Sequence, residues 1–210
     1  MKPDSTTIME LTPFCVGMQE HPSAPAERAK LTSLDGSAPL DPLSLHLSLR
    51  LAYTTGSAIG SLPPSTESCL AAFVVPNNVG LTAGARAWSK HAHRSQPQDT
   101  PTSEELEVKK KKAAEASAGW WGRASGPVAK INEGALELFW KVINSATWRN
   151  LHWLPHQVLV YEVRVADGYG MRWSQDRSKV DEDGAEGPEW IFRGFVEPMM
   201  EGGHEVGWRH

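Results

Sequence analysis

The chain has 210 residues, 40% of them apolar, with 15 Pro, 18 Gly and a formal net charge of −4. That length holds one domain of ordinary size with or without a tail, and the acidic balance makes nucleic acid an unlikely partner. Two cysteines, Cys15 and Cys69, are too few for a disulfide scaffold or a four-thiolate zinc site.

The first residues, MKPDSTTIMELTPF, lack the continuous apolar run of a signal peptide. The longest uninterrupted apolar run, Cys69 to Val75, falls far short of the ~20 residues that span a bilayer. The expectation is a cytoplasmic or nuclear protein without membrane contact. All nine tryptophans fall at position 88 or later, and residues 1–80 hold only Phe14, Tyr53 and Phe73 as aromatics. Aromatic side chains supply much of a core's buried area. Residues 1–80, rich in Ser, Thr, Pro and Ala, are therefore expected to be largely disordered. One exception is LSLHLSLRL, Leu43 to Leu51, whose leucines fill every odd position and predict a half-buried strand.

A folded α+β domain is predicted over 81–210. Its first segment, LTAGARAWSKHAHRS, is basic. Residues 96–118, QPQDTPTSEELEVKKKKAAEASA, read as a flexible charged insertion, with Glu105–Lys109 and Glu107–Lys111 at helical spacing. After Gly119-Trp120-Trp121-Gly122, Ser125 offers an N-cap and Pro127 a first-turn residue. Val128, Ile131, Ala135, Leu138, Val142 and Ala146 then form one helical stripe, so a long helix is predicted over about 127–146. Gly134 inside it costs about 1 kcal/mol relative to Ala and marks close packing.

Strands follow at about 158–165, 169–174 and 189–197. In the first, Leu159, Tyr161, Val163 and Val165 face one way, and Val160, Glu162 and Arg164 the other. Pairing Arg164 with Gly170 and Glu162 with Arg172 lets the apolar faces coincide. A one-residue slip would put Arg172 among apolar side chains. The prediction is a hairpin turning at Ala166-Asp167-Gly168, extended to a small antiparallel meander and packed by the long helix.

Three phrases, RAWSKHAHRS (Arg86–Ser95), YEVRVADGYGMRW (Tyr161–Trp173) and FRGFVEPMMEGGHEVGWRH (Phe192–His210), together with WWG at 120–122, carry a resemblance. The region from Arg86 to His210 resembles a group of uncharacterised fungal- and plant-type proteins. The resemblance implies a genuine domain there and no particular activity.

Two polar constellations suggest chemistry. Arg164 and Arg172 on the strands, with Arg86, Lys90, His91 and Arg94 upstream, are candidate ligands for an anionic small molecule, because guanidinium forks match carboxylate and phosphate. Glu197, Glu201 and His204 near the end are candidates for proton transfer. No cofactor is indicated, and no HExxH or cysteine-pair spacing assigns a metal site. The leading expectation is an anion-binding and catalytic domain. The alternatives are a protein-interaction module acting through 1–80 or 96–118, and a metal-dependent enzyme using the His and Glu residues of the tail.

Overall fold

The computed structural model describes residues 12–31, 40–91, 119–178 and 187–199. The insertion at 96–118 and the tail from 200 onward lie outside them. Among the described residues are five helices, α1 (Ala24–Leu31), α2 (Pro42–Ser48), α3 (Thr66–Phe73), α4 (Ala83–His91) and α5 (Val128–Asn144). Four strands follow, β1 (Ala146–Leu154), β2 (Val158–Val165), β3 (Gly170–Asp176) and β4 (Ile191–Val196). They form one antiparallel sheet in the order β1-β2-β3-β4. The fold is α+β with one long helix, as the periodicities require. None of the described helices is long and apolar enough to cross a membrane.

The chain divides into two compact units, one of residues 1–72 and 142–210, the other of 73–141. The first holds the sheet. Arg164 pairs with Gly170 and Glu162 with Arg172, the register that the hydrophobic alternation demands. The β2–β3 turn closes with Gly168 donating to the Val165 carbonyl at 2.9 Å. Gly168 has φ +90°, and a Cβ there would lie 3.0 Å from both Pro198 and the Val16 carbonyl, so glycine is required twice over. One sheet face is aromatic: Tyr161, Trp173 and Phe192 lie in sequence across β2, β3 and β4, with ring centroids 6.1 and 5.5 Å apart. The Trp173 indole donates to the Cys69 carbonyl at 3.0 Å, which fixes α3 on that face.

One expectation differs from the structure. Leu43 to Leu51 is mostly helix: α2 starts at Pro42, with the Asp41 carboxylate accepting from the Leu43 and Ser44 amides at 3.0 and 3.2 Å. An N-cap followed by proline at the first helical position outweighs alternating leucines, which are weak strand formers. Among the described residues of 12–31 and 40–72 lie α1, α2 and most of α3. Part of this segment is bonded to the sheet. The amides of Phe14, Ala52 and Ala58 donate to the carbonyls of Thr147, Arg149 and Leu151 along the outer edge of β1 at 2.7–2.9 Å. Cys15 and Ala52, both buried, close on Trp148.

In the second unit, Trp88 of α4 is 8% exposed and donates its indole N–H to the Trp121 carbonyl at 2.9 Å. Its ring rests on Gly134 of α5, where a Cβ would lie 2.9 Å away. The glycine in the helix thus marks the close approach its position implied. Asn132 of α5 binds the Thr82 amide and the Gly80 carbonyl, tying the loop before α4 to the same helix.

Candidate functional site

The second face of the sheet is polar, and it is assembled from three neighbouring strands. Alternation puts Trp148, Asn150 and His152 of β1 on it, with Val160, Glu162 and Arg164 of β2 and Gly170, Arg172 and Ser174 of β3. Asn150 pairs with Glu162, which pairs with Arg172, so these three form one row across the sheet. His152 lies diagonally adjacent to Glu162, within reach of a long side chain.

Glu162 is the electrostatic centre of the face. It is 2% exposed. Arg164 Nε donates to Oε1 at 2.6 Å, and Arg172 Nε and Nη2 donate to Oε2 at 2.8 and 2.5 Å. Burial alone would push the carboxyl upward, but the charges and hydrogen bonds of Arg164 and Arg172 outweigh it and hold the group below the usual carboxylate value. Glu162 is therefore an anion at any pH near neutrality, and a weak base.

The two arginines have different surroundings. Arg164 is 1% exposed, and its Nη1 donates to the carbonyls of Gly168 and Glu197 at 2.6 and 2.8 Å. Its stem crosses Gly170, where a Cβ would lie 2.8 Å from Arg164 Cγ and 2.1 Å from the Val163 carbonyl. It is a tether joining the carboxylate, the β2–β3 turn and the end of β4. Arg172 keeps about a third of its side chain in solvent, and its Nη1 takes no part in the Glu162 pair. Arg172 is thus a guanidinium oriented from behind and open in front, the arrangement that binds an oxyanion.

His152 is half-buried. Burial lowers its pKa, with the nearby Arg172 charge acting the same way and the Glu162 charge opposing it. The imidazole is accordingly neutral at pH 7, able to accept a proton. Together the face offers a neutral base, a fixed cation and a fixed anion.

Of the residues chosen from sequence, Arg164 and Arg172 come together around Glu162, and Glu197 joins them through its backbone carbonyl. Arg86 and Lys90 are exposed one turn apart on α4, and His91 is half-buried with its ring 6.4 Å from that of Trp121. These three belong to the other unit. Arg94, Glu201 and His204 lie outside the described residues, as do the tail ligands of the metal alternative beyond Glu197. Among the described residues no three His, Cys, Asp or Glu side chains cluster as a metal site. Sequence reasoning missed β1 entirely, and with it Asn150 and the place of His152. TWRNLHWL carries polar residues at both parities, so neither face reads as apolar; the one available signal was the alternation of Trp148, Asn150 and His152 with Thr147, Arg149 and Leu151.

A family model described as the CdiA C-terminal tRNase toxin domain matches residues 108–180, about a third of the chain. The matched span includes α5, β1, β2 and β3 and every polar residue of the row just described. No curated protein and no solved structure matches the chain.

Proposed function

We propose that the anion taken by this face is an RNA phosphodiester and that the domain cleaves RNA. The observation that carries the proposal is the convergence of His152, Glu162 and Arg172 on one sheet face from three strands. The family match over the same strands supports it. A net charge of −4 argues against non-specific duplex binding and does not oppose a local site of this kind.

In this reading Arg172 holds the non-bridging phosphate oxygens and stabilises the charge that gathers on them in the transition state. Glu162 and Arg164 are positioning residues: Glu162 fixes the Arg172 fork, and Arg164 fixes Glu162. His152 accepts the proton of the ribose 2′-hydroxyl. The 2′-oxygen then attacks phosphorus, the P–O5′ bond breaks, and the 5′-oxygen leaves as a hydroxyl after taking a proton from solvent. The products are a 2′,3′-cyclic phosphate and a 5′-hydroxyl end.

The test is cleavage of tRNA by the full chain and by two variants. Loss of a proton-transfer group lowers rates by roughly 10²–10⁴-fold, which is the expected effect of His152→Gln. Arg172→Lys keeps the charge and loses the fork, so its rate should fall as well. Cleavage that survives both substitutions in folded protein contradicts the proposal. The pH profile is a second check. A base whose pKa is depressed remains active below the ordinary histidine value of about 6.5, and the rate falls only as pH drops through the lowered value. An acid limb above 6.5 would remove His152 from the role of base.

A further inference from the structure

Buried side-chain polar atoms that lack a hydrogen-bond partner are uncommon in folded proteins. Among the described residues, three of them lie on alternate positions of β1 and on one face: Trp148 Nε1, Asn150 Oδ1 and His152 Nδ1. Burial decreases along this row, from Trp148 at 1% exposure through Asn150 at 5% to the half-buried His152. Arg172, two strands away on β3, keeps about a third of its side chain in solvent on the same face. Asn150 and Arg172 occupy one cross-strand row, with Glu162 on the strand between them.

Asn150 is held by one hydrogen bond. Its Nδ2 donates to Thr54 Oγ1 at 3.4 Å, which orients the amide and directs Oδ1 away as an acceptor with no protein donor. Thr54 is fixed in turn: its amide donates to Ser57 Oγ at 2.8 Å, and Ser57 forms an isolated bridge with His152. A lone buried acceptor in the same cross-strand row as an arginine that can hold a phosphate, with Glu162 between them, can be met by a ligand N–H. In a nucleotide that group is the exocyclic amino or ring N–H of the base.

We propose that Asn150 is the residue that reads the nucleobase next to the bound phosphate. This rests on the RNA reading above and adds a base subsite to it. A site built to hydrogen-bond a ligand group discriminates strongly against ligands lacking it, because its own polar atom is then left unmet.

The test is titration of the full chain with the four 3′-mononucleotides and with ribose 3-phosphate, which has the sugar and phosphate but no base. At least one nucleotide should bind about tenfold more tightly than ribose 3-phosphate, the effect of one good hydrogen bond. Asn150→Ala should erase that difference and leave ribose 3-phosphate binding unchanged. The wild-type protein gives an independent readout: the Asn150 side-chain amide resonances should shift with the preferred nucleotide and not with ribose 3-phosphate. Equal binding of all five compounds, with those resonances unmoved, overturns the base subsite while leaving the phosphate site intact. Absence of binding by every compound overturns both.

Discussion

Glu162 shows how a buried charge is made tolerable, and at what risk. Three guanidinium nitrogens close on its two oxygens in a setting where an unpaired carboxylate would be several kcal/mol unfavourable. Glu162→Gln removes the charge and leaves Arg164, 1% exposed, without its counter-ion. The expected loss is about 3–5 kcal/mol, read from urea denaturation at pH 7. A loss below about 1 kcal/mol would mean that the pair is solvated rather than buried. The acid side of the stability curve follows from the same groups. Glu162 has a folded pKa below its unfolded value of 4.5, so its contribution is present above that pH and is lost as pH falls through the folded value. His46 and His152 are lowered from 6.5, chiefly by burial. The unfolded chain takes up their protons first, so stability is full above about 6.5 and declines as pH falls below it. Denaturation midpoints should therefore drop from pH 7 to pH 5, before Glu162 titrates. His46→Phe should flatten part of that decline. A flat profile between pH 7 and pH 5 would contradict the burial of these imidazoles.

At the scale of elements, the hairpin of β2 and β3 was legible because two constraints agree. The alternation Leu159, Tyr161, Val163 against Glu162 and Arg164 allows one register, and Asp167-Gly168 supplies the turn. Gly170 belongs to the same agreement. Gly170→Ala places a Cβ 2.1 Å from the Val163 carbonyl and against the Arg164 stem, so the strands must separate. We expect a loss of at least about 1–3 kcal/mol, the range for overpacking, together with weaker tRNA cleavage as Arg164 is displaced. β1 was illegible for a physical reason. Its inner residues Asn150 and His152 face a polar site, so the hydrophobic alternation that announces a strand is missing. Its hairpin to β2 is also disguised. The connection Pro155–Gln157 contains no glycine, yet His156 and Gln157 have φ of 64° and 57°. Left-handed backbone at two non-glycine residues is strained. Gln157→Gly should accordingly stabilise the protein by up to about 1 kcal/mol, visible as a raised melting temperature. A destabilising effect would indicate that the Gln157 side chain contributes packing which outweighs the strain.

At the scale of the whole chain, the long helix and the β2–β3–β4 meander follow from the periodicities, and β1 and the roles of the N-terminal third do not. A segment poor in aromatics looks unable to fold when judged by its own composition. Part of it is held instead by backbone bonds from Phe14, Ala52 and Ala58 to the β1 edge and by Cys15 and Ala52 closing on Trp148. Burial raises the Cys15 thiol to about 11, with Arg164 opposing and Glu162 adding to the shift. Cys15 is thus an unreactive packing residue, and slow modification by thiol reagents in the folded chain would check this. The polar face was half legible. Glu162, Arg164 and Arg172 follow from the register, whereas Asn150 and His152 depended on a strand that sequence did not reveal.

The central claim is that this face cleaves RNA through the ribose 2′-hydroxyl, and the nature of the product ends tests it most directly. Wild-type protein incubated with tRNA should leave 2′,3′-cyclic phosphate and 5′-hydroxyl ends, and it should not cut the same sequence made as DNA. His152→Gln, folded by circular dichroism, should produce almost none of these ends. Ends bearing a 5′-phosphate, equal cutting of the DNA strand, or intact tRNA with the wild-type chain would contradict the account.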